Sequence, residues 1–151
     1  MQTGIPHELA AVNRFVELLR VEQAALMQAD VERLIALSEQ KFQQSGELNT
    51  LAQTRSRLWA EQGHAATAEG IRQWRAALPS EEAVLWDALL DSARTARQLN
   101  QTNGKLIHAH LQHHQQALNA LLSAADRAGV YGADGQARGV MPTTQRSISS
   151  A

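Results

Sequence analysis

Four histidines, His108, His110, His113 and His114, fall within one short stretch of the chain. On a helix, residues four apart share a face, so His110 and His114 have the spacing by which helices chelate zinc. A stable site needs a third and usually a fourth ligand. The nearest carboxylates in sequence, Asp91 and Asp126, lie roughly three helical turns or more away. The cluster therefore reads as a polar, glutamine-rich helix face, and no metal ligand is assigned.

Catalytic chemistry finds no foothold elsewhere. The sequence contains no serine in a nucleophile elbow, no glycine-rich phosphate loop after a strand and no HExxH pair. Glu81 with Glu82, and Asp87 with Asp91, are paired carboxylates, but they sit at a helix start or beside Arg94 and Arg97. Such groups solvate a face and form weak ion pairs of a few tenths of a kcal/mol each. The expectation is a protein with no catalytic residues and no cofactor. Cysteine is absent, which removes disulfides, thiol nucleophiles and thiolate metal sites together and is compatible with a reducing cytoplasm. A net charge of -1 gives no field of one sign to hold phosphate backbones or anionic lipid, so nucleic acid is a poor partner. Met1 to Glu8 has neither a basic start nor an apolar run, and no stretch approaches the ~20 apolar residues of an integral membrane segment. These features predict a cytoplasmic, unprocessed chain that acts by binding other proteins.

The elements that must present such a surface are helical. Hydrophobic residues make up 44% of the 151 residues but aromatics only 4%, and Ala, Leu, Gln, Glu and Arg dominate, which favours helices over sheets. A domain of this length hides roughly 70% of its unfolded surface, enough for one real core. From Pro6 to Ala29, residues Leu9, Val12, Val16, Leu19 and Leu26 recur at steps of three, four and seven, predicting one buried stripe. Asp30 suits an N-cap, and a second stripe runs through Val31, Leu34, Leu37, Phe42, Leu48, Leu51 and Leu58. A tight antiparallel turn or a kink is expected between the two. Gly63 closes the second helix, a short amphipathic connector around Ile71 to Leu78 carries Trp74, and Pro79 stops it.

Ser80, followed by Glu81 and Glu82, starts a helix with negative charge where the macrodipole favours it. No proline follows before Pro142, so this helix is expected to reach about Asp126, about 70 Å at 1.5 Å per residue. Its expected stripe is Leu85, Leu89, Ala93, Ala96, Asn100, Asn103, Ile107, Leu111, Leu118, Leu121, Leu122 and Ala125. Part of so long a stripe should await a partner. The run from Asn100 to Ile107 places two asparagines and Gly104 inside the helix, and Gly costs about 1 kcal/mol there against Ala. Something must offset them: close packing over Gly104 with asparagine side chains bonding a neighbouring backbone, or a direct part in holding a partner.

Beyond Ala128 the helical vocabulary gives way to Gly129, Gly132, Gly135, Gly139, Pro142 and a run of Ser and Thr. The predicted organisation is a helical bundle domain over 1–128 and a flexible C-terminal tail over 129–151. Val130, Tyr131, Val140, Met141 and Ile148 punctuate that tail as a recognition segment would, although loose chain ends are also common. The fold class expected is all-α, an antiparallel long-helix bundle or coiled coil with about three long helices and a short connecting helix.

Three stretches resemble the FlgN-type flagellar export chaperones. Glu22 to Leu26 with Asp30, Leu34, Leu37 and Lys41 is similar to that family's first-to-second helix signature, and Asn100 to Ile107 to its middle motif. Gln115 to Leu118 with Leu121, then Val130 to Gln136, is similar to its closing segment. The resemblance implies a cytoplasmic, non-enzymatic chaperone that binds flagellar hook-filament junction proteins, keeps them unassembled and delivers them to the type III export apparatus. It also implies that the end of the long helix and the segment after it hold cargo, and that Tyr131 docks at export gate components. The residues expected to touch partners are Asn103, Ile107, Leu111, Leu118, Leu121, Leu122, Val130 and Tyr131. Gln53 to Ala83 matches no motif. A structural coiled coil that merely self-associates stands as the alternative, and monomer or dimer is left open.

Overall fold

A computed structural model describes residues 4–130, with side chains described as far as Arg127. Within that range the chain is all-α: α1 is Ile5–Met27, α2 Val31–Glu61, α3 Ala68–Ala77 and α4 Ser80–Val130. Packing divides the chain into two units, residues 1–108 and residues 109–151. The tail from 131 onward lies outside the described residues.

Side-chain pairings fix the helix directions in the first unit. Glu8, Arg14 and Glu22 of α1 meet Arg55, Glu47 and Lys41 of α2, so rising numbers on one helix meet falling numbers on the other and the pair is antiparallel. Asn13 and Leu19 of α1 bond to Ser92 and Asn103 of α4, which makes those two helices parallel. The order is up, down, up, with α3 connecting α2 to α4.

The joint between α1 and α2 is a tight turn. Asp30 N–H donates to the Ala25 carbonyl and Ala29 N–H to the Leu26 carbonyl, the paired bonds of a Schellman ending, which leaves Ala29 at φ 52. Asp30 then caps α2, its Oδ1 accepting from Arg33 N–H at 3.1 Å. The same ending closes α2, but with Gly63 at the left-handed position, φ 78. Alanine there carries a Cβ clash that glycine lacks. Ala29→Gly is therefore expected to raise stability by a few tenths of a kcal/mol after the entropy cost of glycine, read as a higher urea midpoint with unchanged slope.

Ile5, Val12, Val16 and Leu19 of α1 pack with Trp59, Trp74, Trp86, Leu89 and Ala96 to form the main core. A second cluster joins Leu18, Ala25 and Leu37. The α1 stripe read from sequence is buried or half-buried throughout. The α2 stripe needs correction: Leu37 is buried, and Leu34 and Leu48 pack against the core, but Val31 and Phe42 are exposed. By helical rotation those two sit roughly 100° from the buried side.

The α4 stripe needs one too. Leu89, Ala96 and Asn103 are buried as expected, each seven residues on from the last. Between them the buried side takes the residue three along, Ser92, Leu99 and Leu106, all half-buried; Ala93, Asn100 and Ile107, four along, are exposed. A strict seven-residue repeat permits either choice, and only the direction of the neighbouring helices decides it. Trp86, which the stripe through Leu85 passed over, begins the true face.

The three tryptophans, one each from α2, α3 and α4, stand edge to face at centroid distances of 5.1, 5.8 and 5.0 Å. Arg55 lies over Trp59 and Trp86 at 5.2 and 5.3 Å and is ion-paired with the nearly buried Glu8. On the outside, Arg75 of α3 grips Asp87 of α4 through Nε at 2.7 Å and through Nη2. Hydrogen bonding to Arg75 holds the Asp87 carboxyl below its ordinary range and raises the guanidinium in turn. A carboxyl depressed in the folded state stabilises at pH above its unfolded value and loses that contribution as pH falls through the folded one, so the clasp between α3 and α4 loosens only in strong acid.

Candidate functional site on the fourth helix

Asn103 marks where α4 is most firmly held. It is 0% exposed. Its Nδ2 donates to the Leu19 carbonyl at 2.8 Å and to Glu22 Oε1 at 2.9 Å. Glu22, itself buried, accepts from Lys41 Nζ at 3.1 Å, so one polar chain ties α4, α1 and α2 together. Charge-assisted bonds of this kind offset the poor helix propensity of asparagine and set the register of three helices. Of the two explanations open from sequence, the side chain takes the first, bonding a neighbouring backbone. It presents no surface to a partner.

Close packing over Gly104 is not found. A Cβ built on Gly104 meets nothing within 4 Å, so the glycine makes no room for a neighbour. Gly104→Ala is expected to stabilise the fold by up to about 1 kcal/mol, visible as a higher melting temperature. Gly70 is the contrast: its Cβ would fall 2.0 Å from the Ala65 carbonyl oxygen, and its N–H caps onto Thr67 Oγ1 at 3.1 Å.

Ile107, in the first unit, is 39% exposed. In the second, every residue from Leu111 to Arg127 is exposed. Leu111, Leu118, Leu121 and Leu122 are 63, 50, 69 and 56% exposed, and rotation by 100° per residue places them in an arc of about 100°, the width of a core-facing stripe. Leucines so arranged ordinarily face another helix. The opposite side carries Gln112, His113, Gln116 and Asn119.

The chemistry available to this face is apolar contact. His110 is half-buried, and the His113 and His114 rings stand 6.3 Å apart. Among the described residues no three His, Cys, Asp or Glu side chains come together as a metal site, and no helix is long and apolar enough to cross a membrane. Val130 is the last residue of α4, but its side chain and all of Tyr131 lie outside the described residues. Sequence reasoning missed a second exposed apolar row, Val31, Ile35 and Phe42 on α2. The signal was there in the four- and seven-residue steps, but Val31 and Phe42 had been assigned to the core.

No curated protein and no solved structure matches the chain. A family profile described as FlgN protein matches residues 2–139, taking in the Asn103 anchor, the leucine row and the start of the glycine-rich tail. A match of that extent, to a chain whose described residues are folded as helices, places the chain in the FlgN family of flagellar export chaperones.

Proposed function

We propose that the protein is a cytoplasmic chaperone that binds flagellar hook-filament junction proteins, prevents their premature assembly and delivers them to the flagellar type III export apparatus. The observation that carries this reading is the row Leu111, Leu118, Leu121 and Leu122, exposed on the helix whose earlier residues Trp86, Leu89 and Ala96 are packed in the core. Ile107 joins it by helical periodicity. An amphipathic helix of the cargo, sticky because it normally packs within a filament, lies against this row, and the chaperone acts as a surrogate neighbour. Burial of about 800 Å² on each side gives micromolar to nanomolar affinity. Release follows from competition at the export machinery, with no hydrolytic step.

Asn103 serves the site by anchoring α4. Val130 and Tyr131 come later in sequence than the row, after residues 123–129, and the family resemblance gives Tyr131 the export-gate role. A tyrosine offers a large apolar contact with one polar handle. The test is a copy ending at Ala128, titrated with the C-terminal region of a hook-filament junction protein. Weaker binding than the full chain supports a cargo role for 129–151; equal binding confines cargo recognition to the helix.

The same exposed leucines also suit a symmetric self-association. Sedimentation at increasing protein concentration separates the readings. The chaperone reading expects a monomer mass that stays constant, whereas a tight dimer at low concentration favours the structural coiled coil.

A further inference from the structure

Phe42 is 80% exposed, Ile35 67%, Val31 60% and, at the end of α1, Met27 76%. Val31, Ile35 and Phe42 fall within an arc of about 40° on α2, centred roughly 120° from the side that packs on α1. This row belongs to residues 1–108 and is separate from the leucine row of residues 111–122.

One edge of the α2 row carries Glu32 and Glu39, both exposed. The other is lined by Ser38 and Ser45. Neither cation between 31 and 46 offsets those acids: Arg33 projects to the far side of the helix by rotation, and Lys41 is held by Glu22 at 3.1 Å. Two α2 helices pairing antiparallel along this row would set each edge against its own copy, bringing Glu32 and Glu39 of the two chains together. An anionic membrane surface meets the same repulsion.

We propose that the Val31, Ile35 and Phe42 row is a second docking surface, for an amphipathic helix of another protein that carries Lys or Arg along one edge of its apolar face. The apolar row supplies the contact area, and Glu32 and Glu39 select the partner and its orientation.

The probe is a synthetic amphipathic helical peptide with leucines at the first, fourth, fifth and eighth positions of its repeat and lysines along one edge, beside a twin with glutamates in place of the lysines. Both are labelled and titrated by fluorescence anisotropy. The lysine peptide should bind at least tenfold tighter than its twin. Ile35→Ser with Phe42→Ser should weaken it tenfold or more, and Leu118→Ser with Leu122→Ser should leave it within twofold. Glu32→Lys with Glu39→Lys should reverse the preference toward the glutamate peptide. All substituted side chains are exposed, and circular dichroism melts verify that each variant folds. Equal affinity for the two peptides, no binding, or sensitivity only to the α4 substitutions overturns the proposal. A dimer that Phe42→Ser dissociates, or adsorption to phosphatidylglycerol vesicles that Phe42→Ser abolishes, also overturns it, in favour of a second copy or a membrane. Failure here leaves the cargo reading intact, since that reading fails on the α4 substitutions alone.

Discussion

Trp86→Ala is expected to destabilise the fold by about 3–5 kcal/mol, the range for truncating a fully packed tryptophan. The magnitude follows from position. Trp86 touches both other tryptophans edge to face, at 5.8 and 5.0 Å, and lies under the Arg55 guanidinium. Each aromatic pair contributes about 0.5–1.5 kcal/mol beyond area burial. Its removal also strips cover from Arg55 and Glu8, a nearly buried ion pair whose strength depends on exclusion of water. Against a total stability of roughly 5–15 kcal/mol, the loss is a large fraction. Urea unfolding followed by circular dichroism measures it. A loss below about 1 kcal/mol would mean that the tryptophan cluster is not the centre of the core.

Leu118→Asp together with Leu122→Asp is expected to weaken cargo binding by at least a hundredfold, which at 1.4 kcal/mol per tenfold is about 3 kcal/mol. Two carboxylates in the middle of an apolar contact must be desolvated without partners, so the penalty exceeds the simple loss of area. Helix content and melting temperature should change little, because both leucines are exposed in the folded chain. The double variant and wild type are compared by calorimetric titration and by thermal melts. Retention of cargo affinity within threefold in a folded variant would exclude this face.

The helices were legible because their punctuation is chemical. Asp30 caps α2 and Gly63 ends it, and both duties can be named from residue type alone. Pro6 lies in the first turn of α1, and Pro79 separates α3 from α4. What sequence could not give was rotation about the helix axis. Leu89, Ala96 and Asn103 were placed inward correctly, yet the choice between Leu99 and Asn100 beside them turned on where α1 lies, a tertiary fact. The same limit put Phe42 in the core. Its seven-residue step from Ile35 makes a row as regular as any buried one, and periodicity does not say whether a row is covered.

For the candidate site, the exposed leucines of α4 were legible from length, since a helix starting at Ser80 with no proline before Pro142 cannot be covered along its whole stripe unless the helices before it are equally long and straight. Asn103 was recognised as out of place in a helix interior, but its partners, the Leu19 carbonyl and Glu22, are more than 80 residues away in sequence. No local pattern announces such a bond. Gly104 shows the converse, a residue that looked purposeful and meets open space.

The central claim is that this chain holds a hook-filament junction protein, and calorimetric titration of the purified full-length protein with the C-terminal region of such a protein from the same organism tests it most directly. Saturable one-to-one binding with micromolar or tighter affinity is the predicted result; no heat of binding, with the chaperone folded and its partner helical, would contradict the account.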